Sequence, residues 1–131
     1  MSTIVLNVDD DQVTLMLHKI LIKALGFDFN VEDFICGEDV LSYLKSLEDL
    51  KNKKFLMLLD INMPGMSGWD VLDELVTIKD LDIHVVMVTS SIDSRDQNKS
   101  KSYSMVSDFI VKPVNKNKLF DIFQKATRLN Q

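Results

Sequence analysis

The chain holds one cysteine, Cys36, among 131 residues. An internal disulfide and a thiolate metal cluster are therefore both excluded. No apolar run approaches the ~20 residues that a membrane helix requires, so no membrane insertion is expected. The N-terminus enters a short strand-like stretch with no basic flank, so no signal peptide is expected and the cytoplasm is the natural location. Basic charge is also in deficit. Fifteen Lys and Arg stand against twenty Asp and Glu, a net charge of −5, which argues against a nucleic-acid partner. Only four glycines are present, and nothing resembles a glycine-rich phosphate loop. Repeats, low-complexity tracts and linkers are missing too. The length and 46% hydrophobic content fit one globular domain over residues 1–131, with no room for an output domain.

What is present alternates. Ile4–Val8 reads as a buried strand, followed by Val13, Leu17, Ile20, Leu21 and Ala24 at helical spacing and a stop at Gly26. "FNVEDFI" (29–35) alternates loosely, as an edge strand does. The next segment is amphipathic through Val40, Leu41, Leu44 and Leu47. "FLMLL" (55–59) and "HVVMV" (84–88) are apolar on both faces, as central parallel strands are. Pro64, Gly65, Ser67 and Gly68 mark a loop, after which Trp69, Val71, Leu72, Leu75 and Ile78 form a helical stripe. The polar stretch 90–102 is expected to be a short or weakly packed helix. Phe109–Val111 is a fifth strand, and a last helix buries Leu119, Ile122, Phe123 and Ala126. Five strands alternating with five helices predict an α/β fold, a doubly wound parallel sheet covered on both faces.

In such sheets the binding crevice lies beyond the carboxyl ends of the strands. The polar residues at those ends are Asp9 and Asp10, Asp60, Thr89, and Lys112. If the first and third strands are neighbours, Asp9, Asp10 and Asp60 converge. Two carboxylates ~5 Å apart repel by roughly 3 kcal/mol at an effective dielectric near 20. The set must then stay partly protonated or recruit a cation, and hard oxygen donors favour Mg2+. Asp60 is a candidate nucleophile, Lys112 a fixed charge for a phosphoryl oxygen, and Thr89 a hydroxyl donor. Asp11 is expected to cap the first helix. His18 and His84 show no ligand spacing and are expected at the surface or at a strand start. Cys36 is expected in a packing or loop role, and Trp69 against the loop after Asp60.

"VDDD" after strand one, "LLDINMPGMSGWDVL" at strand three, "VMVTSS" at strand four and "FIVKPV" at strand five resemble the receiver domain of two-component response regulators. The likeness spans nearly the whole chain, in the family's order. It implies a flavodoxin-like sheet of strand order 2-1-3-4-5. It implies that Asp60 is the phosphoacceptor and that Asp9 and Asp10, with Asp60 and the Asn62 backbone carbonyl, hold Mg2+ (or Mn2+). Thr89 and Phe109 would be the switch pair, with Phe where a Tyr is common. Lys112 would bind phosphate, next to a cis bond to Pro113. The implied function is a stand-alone response regulator. It would be phosphorylated by a sensor histidine kinase or a histidine phosphotransfer protein and would signal to a downstream protein through its helix 4–strand 5–helix 5 surface. It would catalyse only its own phosphorylation and dephosphorylation. Three alternatives stay open. A Mg2+-dependent phosphohydrolase would want an Asp where Asn62 stands. A flavodoxin-like cofactor binder would have its phosphate repelled by three aspartates. The third is a phosphorylation-independent interaction module.

Overall fold

The computed structural model describes residues 3–129. The elements alternate as β1 (Thr3–Val8), α1 (Gln12–Ala24), β2 (Asn30–Phe34), α2 (Gly37–Ser46), a 3-10 turn (Leu50–Asn52), β3 (Lys54–Asp60), α3 (Gly68–Leu75), β4 (Ile83–Thr89), α4 (Ser94–Ser100), β5 (Val106–Val111) and α5 (Lys116–Leu129). All strands are parallel, in the order 2-1-3-4-5, as expected.

The period-2 alternation of the central strands builds two cores. Phe55, Met57 and Leu59 of β3 and Val85 and Met87 of β4 face α2 and α3, meeting Val40, Leu44, Val71 and Leu72. Leu56, Leu58, Val86 and Val88 face the other way, against Ile22 of α1 and Leu119, Ile122 and Phe123 of α5. Each fully buried Leu, Val or Phe contributes roughly 1.5–3 kcal/mol of transfer free energy. The apolar run of β3 is thus needed on both sides, which is why it occupies the middle of the sheet. β2, half-exposed along its length, lies at one edge, as its loose alternation implied. β5, at the other edge, begins at Val106 rather than Phe109, because an edge strand tolerates polar residues: Ser107 is exposed and Asp108 pairs with Lys125 at 3.6 Å.

Two expectations need correction. In α1, Leu21 of the residues at helical spacing packs against the core, but Val13, Leu17 and Ile20 do not. Those three and Met16 are each more than half exposed, whereas Leu15, His18 and Ile22 are buried. The helix carries apolar residues on both sides, so period 3.6 identified it as a helix but not which face turns inward. His18 is therefore not at the surface. Its Nδ1 lies 3.0 Å from Asn7 Oδ1 beneath the sheet's working edge. The Asn7 amide nitrogen donates to Leu15 O and Asp33 Oδ1, both at 3.1 Å. This fixes the amide orientation and makes His18 Nδ1 the protonated nitrogen. Burial, and then the Lys112 charge against the carboxylates of Asp9 and Asp33, holds the His18 pKa below its usual value.

Candidate functional site

The parallel register pairs Val8 with Leu59, so the residues that follow them, Asp9 and Asp60, come side by side. β3 runs through Asp60, paired opposite Val88, and the carboxylate is anchored by the sheet. Thr89 likewise ends β4, paired with Val111, and Lys112 follows β5 at once. Asp9 is 1% exposed, Asp60 5% and Thr89 0%, while Asp10 stands in solvent at the mouth. One carboxylate oxygen from each of Asp9, Asp10 and Asp60 lies within 4.8 Å of the others.

Lys112 answers this charge. Its Nζ donates to Asp9 Oδ2 at 2.7 Å and stands 3.6 Å from Asp60 Oδ1. Asp9 is further held by the amide of Asp11, which donates to Oδ1 at 2.9 Å, and its own amide donates to Phe34 O at 3.0 Å. Asp11 stays outside the cluster. It caps α1, accepting from Val13 N at 3.0 Å and Thr14 Oγ1 at 3.2 Å, the role its position suggested.

The Asp60 carboxyl is pushed up to about 6 by burial first, then by the Asp9 and Asp10 charges, against the pull of Lys112 and the Asn62 amide. For Lys112, burial alone would lower the pKa. The hydrogen bond to Asp9 and the charges of Asp60 and Asp9 outweigh it, and the net shift is upward. A buried carboxylate still short of positive charge is what a hard divalent cation suits, and the all-oxygen donor set fits magnesium or manganese better than zinc.

The surrounding residues also occupy strand ends. The Thr89 hydroxyl accepts from Ser91 N at 3.0 Å, and its carbonyl accepts from Lys112 N at 2.7 Å. The Lys112–Pro113 bond is cis. Phe109, opposite Met87, is half-buried against the α2–α3 core. Asn62 is exposed on the loop after β3. Cys36 is the N-cap residue of α2. Trp69 stacks on Tyr103.

Sequence reasoning missed two features. Gly68 was legible only as loop punctuation, yet a Cβ there would lie 2.6 Å from Asp60 O and 2.9 Å from Ile61 Cα. Its amide donates to Ile61 O at 2.8 Å, so this glycine lets α3 start directly under the Asp60 backbone. The signal available was the Ser67–Asp70 pair flanking it, which forms a capping box. Asn7 was the other, a polar residue inside an apolar strand.

Among the described residues no helix is long and apolar enough to cross a membrane. Comparison with known proteins gives one family throughout. The response regulator receiver domain matches residues 5–124. The chain is 30% identical over 124 residues to the two-component response regulator ARR10 of Arabidopsis thaliana, covering 95% of this chain and 21% of that protein. It spans about a fifth of the length of the first curated relatives it matches. Among solved structures, a two-component response regulator of Cytophaga hutchinsonii superposes with a TM-score of 0.86 at 26% identity, covering 99% of this chain and 98% of that one. The Mn(2+)-bound form of the response regulator Rcp1 superposes with a TM-score of 0.72 at 26% identity, covering 95% and 91%. With matching topology and an acid cluster at the carboxyl edge of the sheet, the chain belongs to the response regulator receiver-domain family, whose members signal through phosphorylation and hold a divalent metal in an acidic pocket.

Proposed function

We propose that Asp60 accepts a phosphoryl group from a phosphohistidine carried by a sensor histidine kinase or a histidine phosphotransfer protein. The observation that supports this best is the convergence of Asp9, Asp10 and Asp60, with Lys112 reaching into the cluster to bond Asp9 and lie 3.6 Å from Asp60. An ionised Asp60 oxygen attacks phosphorus, the phosphorus–nitrogen bond of the donor breaks, and the imidazole leaves with that electron pair. The product is an acyl phosphate on Asp60. Attack of water on phosphorus later returns the carboxylate and inorganic phosphate. No separate metabolite is turned over.

Each rim residue has a place in this chemistry. The Lys112 ammonium neutralises one phosphoryl oxygen, and the Thr89 hydroxyl donates to another. Asp9, Asp10, Asp60 and the Asn62 carbonyl would hold magnesium or manganese, which when bound supplies positive charge for the phosphoryl oxygens. The nucleophile must be ionised, and with its pKa near 6 Asp60 meets that condition at neutral pH and loses it as pH falls. Thr89, whose hydroxyl accepts from the Ser91 amide in the unmodified chain, turns its O–H to the phosphoryl group. Phe109 then fills the space vacated, and the α4–β5–α5 surface changes its preferred conformation for a downstream protein.

The donor's docking surface is α1. Val13, Met16, Leu17 and Ile20 expose 57%, 55%, 52% and 57% of their surface, at the i, i+3, i+4, i+7 spacing that fits a partner helix. The stripe starts just past Asp10 and Asp11. It continues through Met16 and Ile20 into an open groove of about 860 Å3 beside β2. The test is direct. Incubation with Mg2+ and acetyl phosphate should give a phosphoryl adduct by intact mass that is absent in Asp60→Asn. No adduct, or one that survives the substitution, ends the proposal.

A further inference from the structure

A polar side chain interrupts the apolar run of β1. Asn7 is 0% exposed between Leu6 and Val8, where an amide costs free energy unless its groups are bonded. It lies beside Asp33 of β2 in the parallel register and meets α1. His18 Nδ1 donates to its Oδ1 at 3.0 Å, and its Nδ2 donates to Leu15 O and to Asp33 Oδ1, both at 3.1 Å. Asp33 reaches the same helix again, with Oδ2 3.3 Å from Lys19 Nζ. One buried amide and its neighbour thus hold three residues of α1. The Leu15 carbonyl lies inside α1 and already accepts the helix's own bond from four residues on, so the helix does not need Asn7 to form. What the contact adds is position.

The chain between the two ends of this tie carries the acid cluster. Asn7 and Leu15 are eight residues apart, and Asp9, Asp10 and Asp11 lie in the turn that joins them. The turn is bonded to itself: the Asp11 amide donates to Asp9 Oδ1 at 2.9 Å, and the Asp11 carbonyl accepts from Leu15 N at 3.1 Å. Asp10 is exposed, so the place of its carboxylate depends on the course of this backbone. Three like charges within 4.8 Å of one another repel, and that repulsion pushes the turn outward. The tie at its base opposes the push.

We propose that Asn7 and His18 are positioning residues for the cation site, a buried pair that locks the start of α1 to β1 and holds the turn presenting Asp9 and Asp10 to Asp60. The role toward the cation rests on the metal reading in the functional proposal above. Neither residue is a ligand. Their effect is to keep the carboxylates in place before an ion arrives, as a supporting shell does.

Two variants separate this role from packing. Asn7→Leu combined with His18→Leu fills the space with apolar atoms and removes the tie. His18→Asn keeps a donor at the Nδ1 position and leaves a void where the ring was, so it should be less stable toward urea than wild type. NMR spectra of the metal-free proteins follow exchange of the Asp11 amide, and titration with Mg2+ gives the affinity. In the double variant the Asp11 amide should exchange about tenfold faster relative to the amides of β3 and β4, and Mg2+ should bind about tenfold more weakly. His18→Asn should keep both values within about twofold of wild type, despite its lower stability. A double variant with wild-type affinity overturns the role toward the cation, and one with wild-type Asp11 protection overturns the hold on the turn. Affinity that falls in His18→Asn along with stability overturns the proposal too. Absence of Mg2+ binding by the unmodified chain refutes the metal reading and the role toward the cation together, while the Asp11 amide still decides whether the pair holds the turn.

Discussion

Replacing Asp60 by asparagine should make the metal-free protein more stable at neutral pH, and the gain should vanish in acid. The folded chain surrounds Asp60 with little water and with the charges of Asp9 and Asp10, offset only in part by Lys112. Lifting the carboxyl from 3.8 to about 6 corresponds, at about 1.4 kcal/mol per tenfold change in proton affinity, to about 3 kcal/mol of destabilisation once the group is ionised. Asparagine keeps the shape and the acceptor for the Asn62 amide but must place a new NH2 group, so a gain of about 2 kcal/mol is expected. The sign follows from which state holds the proton. Below the unfolded-state value both states are protonated and only the cost of placing the new amide remains, so the variant is about 1 kcal/mol the less stable there. Between about pH 4 and 6 the folded wild type retains a proton that the unfolded chain has lost, so its stability falls relative to the variant as pH rises, then levels off above that window. Urea unfolding followed by far-ultraviolet circular dichroism in EDTA, at several pH values from 3.5 to 8, measures the difference directly. Mg2+ at ten times its Kd should then return about 1.4 kcal/mol to the wild type and less to the variant. A variant no more stable than wild type above pH 7, or a gap that does not change across the acid range, would refute the assignment of strain to Asp60.

Three other substitutions probe separate parts of the molecule. Gly68→Ala sets a Cβ 2.6 Å from Asp60 O, where only backbone movement makes room. It should lower stability by about 1–3 kcal/mol in thermal unfolding and slow adduct formation as well. Ile20→Glu, on the exposed face of α1, should leave stability within about 0.5 kcal/mol and leave phosphorylation by acetyl phosphate unchanged. Transfer from a panel of phosphorylated histidine phosphotransfer domains should drop at least tenfold, and equal loss with both donors would remove α1 as the docking face. His18→Leu alone strands the Asn7 carbonyl that it now satisfies and should cost about 1–3 kcal/mol. Adding Asn7→Leu should recover part of that loss, so chemical denaturation of the double-mutant cycle should give a coupling between the two sites.

Much of this was legible along the chain. The apolar runs 55–59 and 84–88 are central strands because they have neighbours on both faces. Asp60, Thr89 and Lys112 stood out because each interrupts or ends such a run. Asp11 was recognisable as a cap from its place before a helix. The inward face of α1 was not legible, since apolar residues occur on both its sides, and His18 was misplaced for the same reason. Its partner Asn7 comes from another element, and no local pattern announces that pairing. Gly68 looked like any loop glycine until the Asp60 carbonyl was found against it.

The sequence by itself determined what short-range periodicity can carry: five strands, five helices, their order, and which strand ends bear charge. Tertiary structure decided what depends on adjacency. Strand order 2-1-3-4-5 sets β1 against β3, and only then do Asp9 and Asp60, far apart in the chain, share one poorly solvated rim and raise each other's energy. The Trp69–Tyr103 stack and the Tyr103–Asp73 hydrogen bond likewise join residues of α3 to the turn before β5. Local propensity acts over a few residues, whereas Coulomb repulsion, burial and ring stacking act through space, and the folded backbone alone sets those distances.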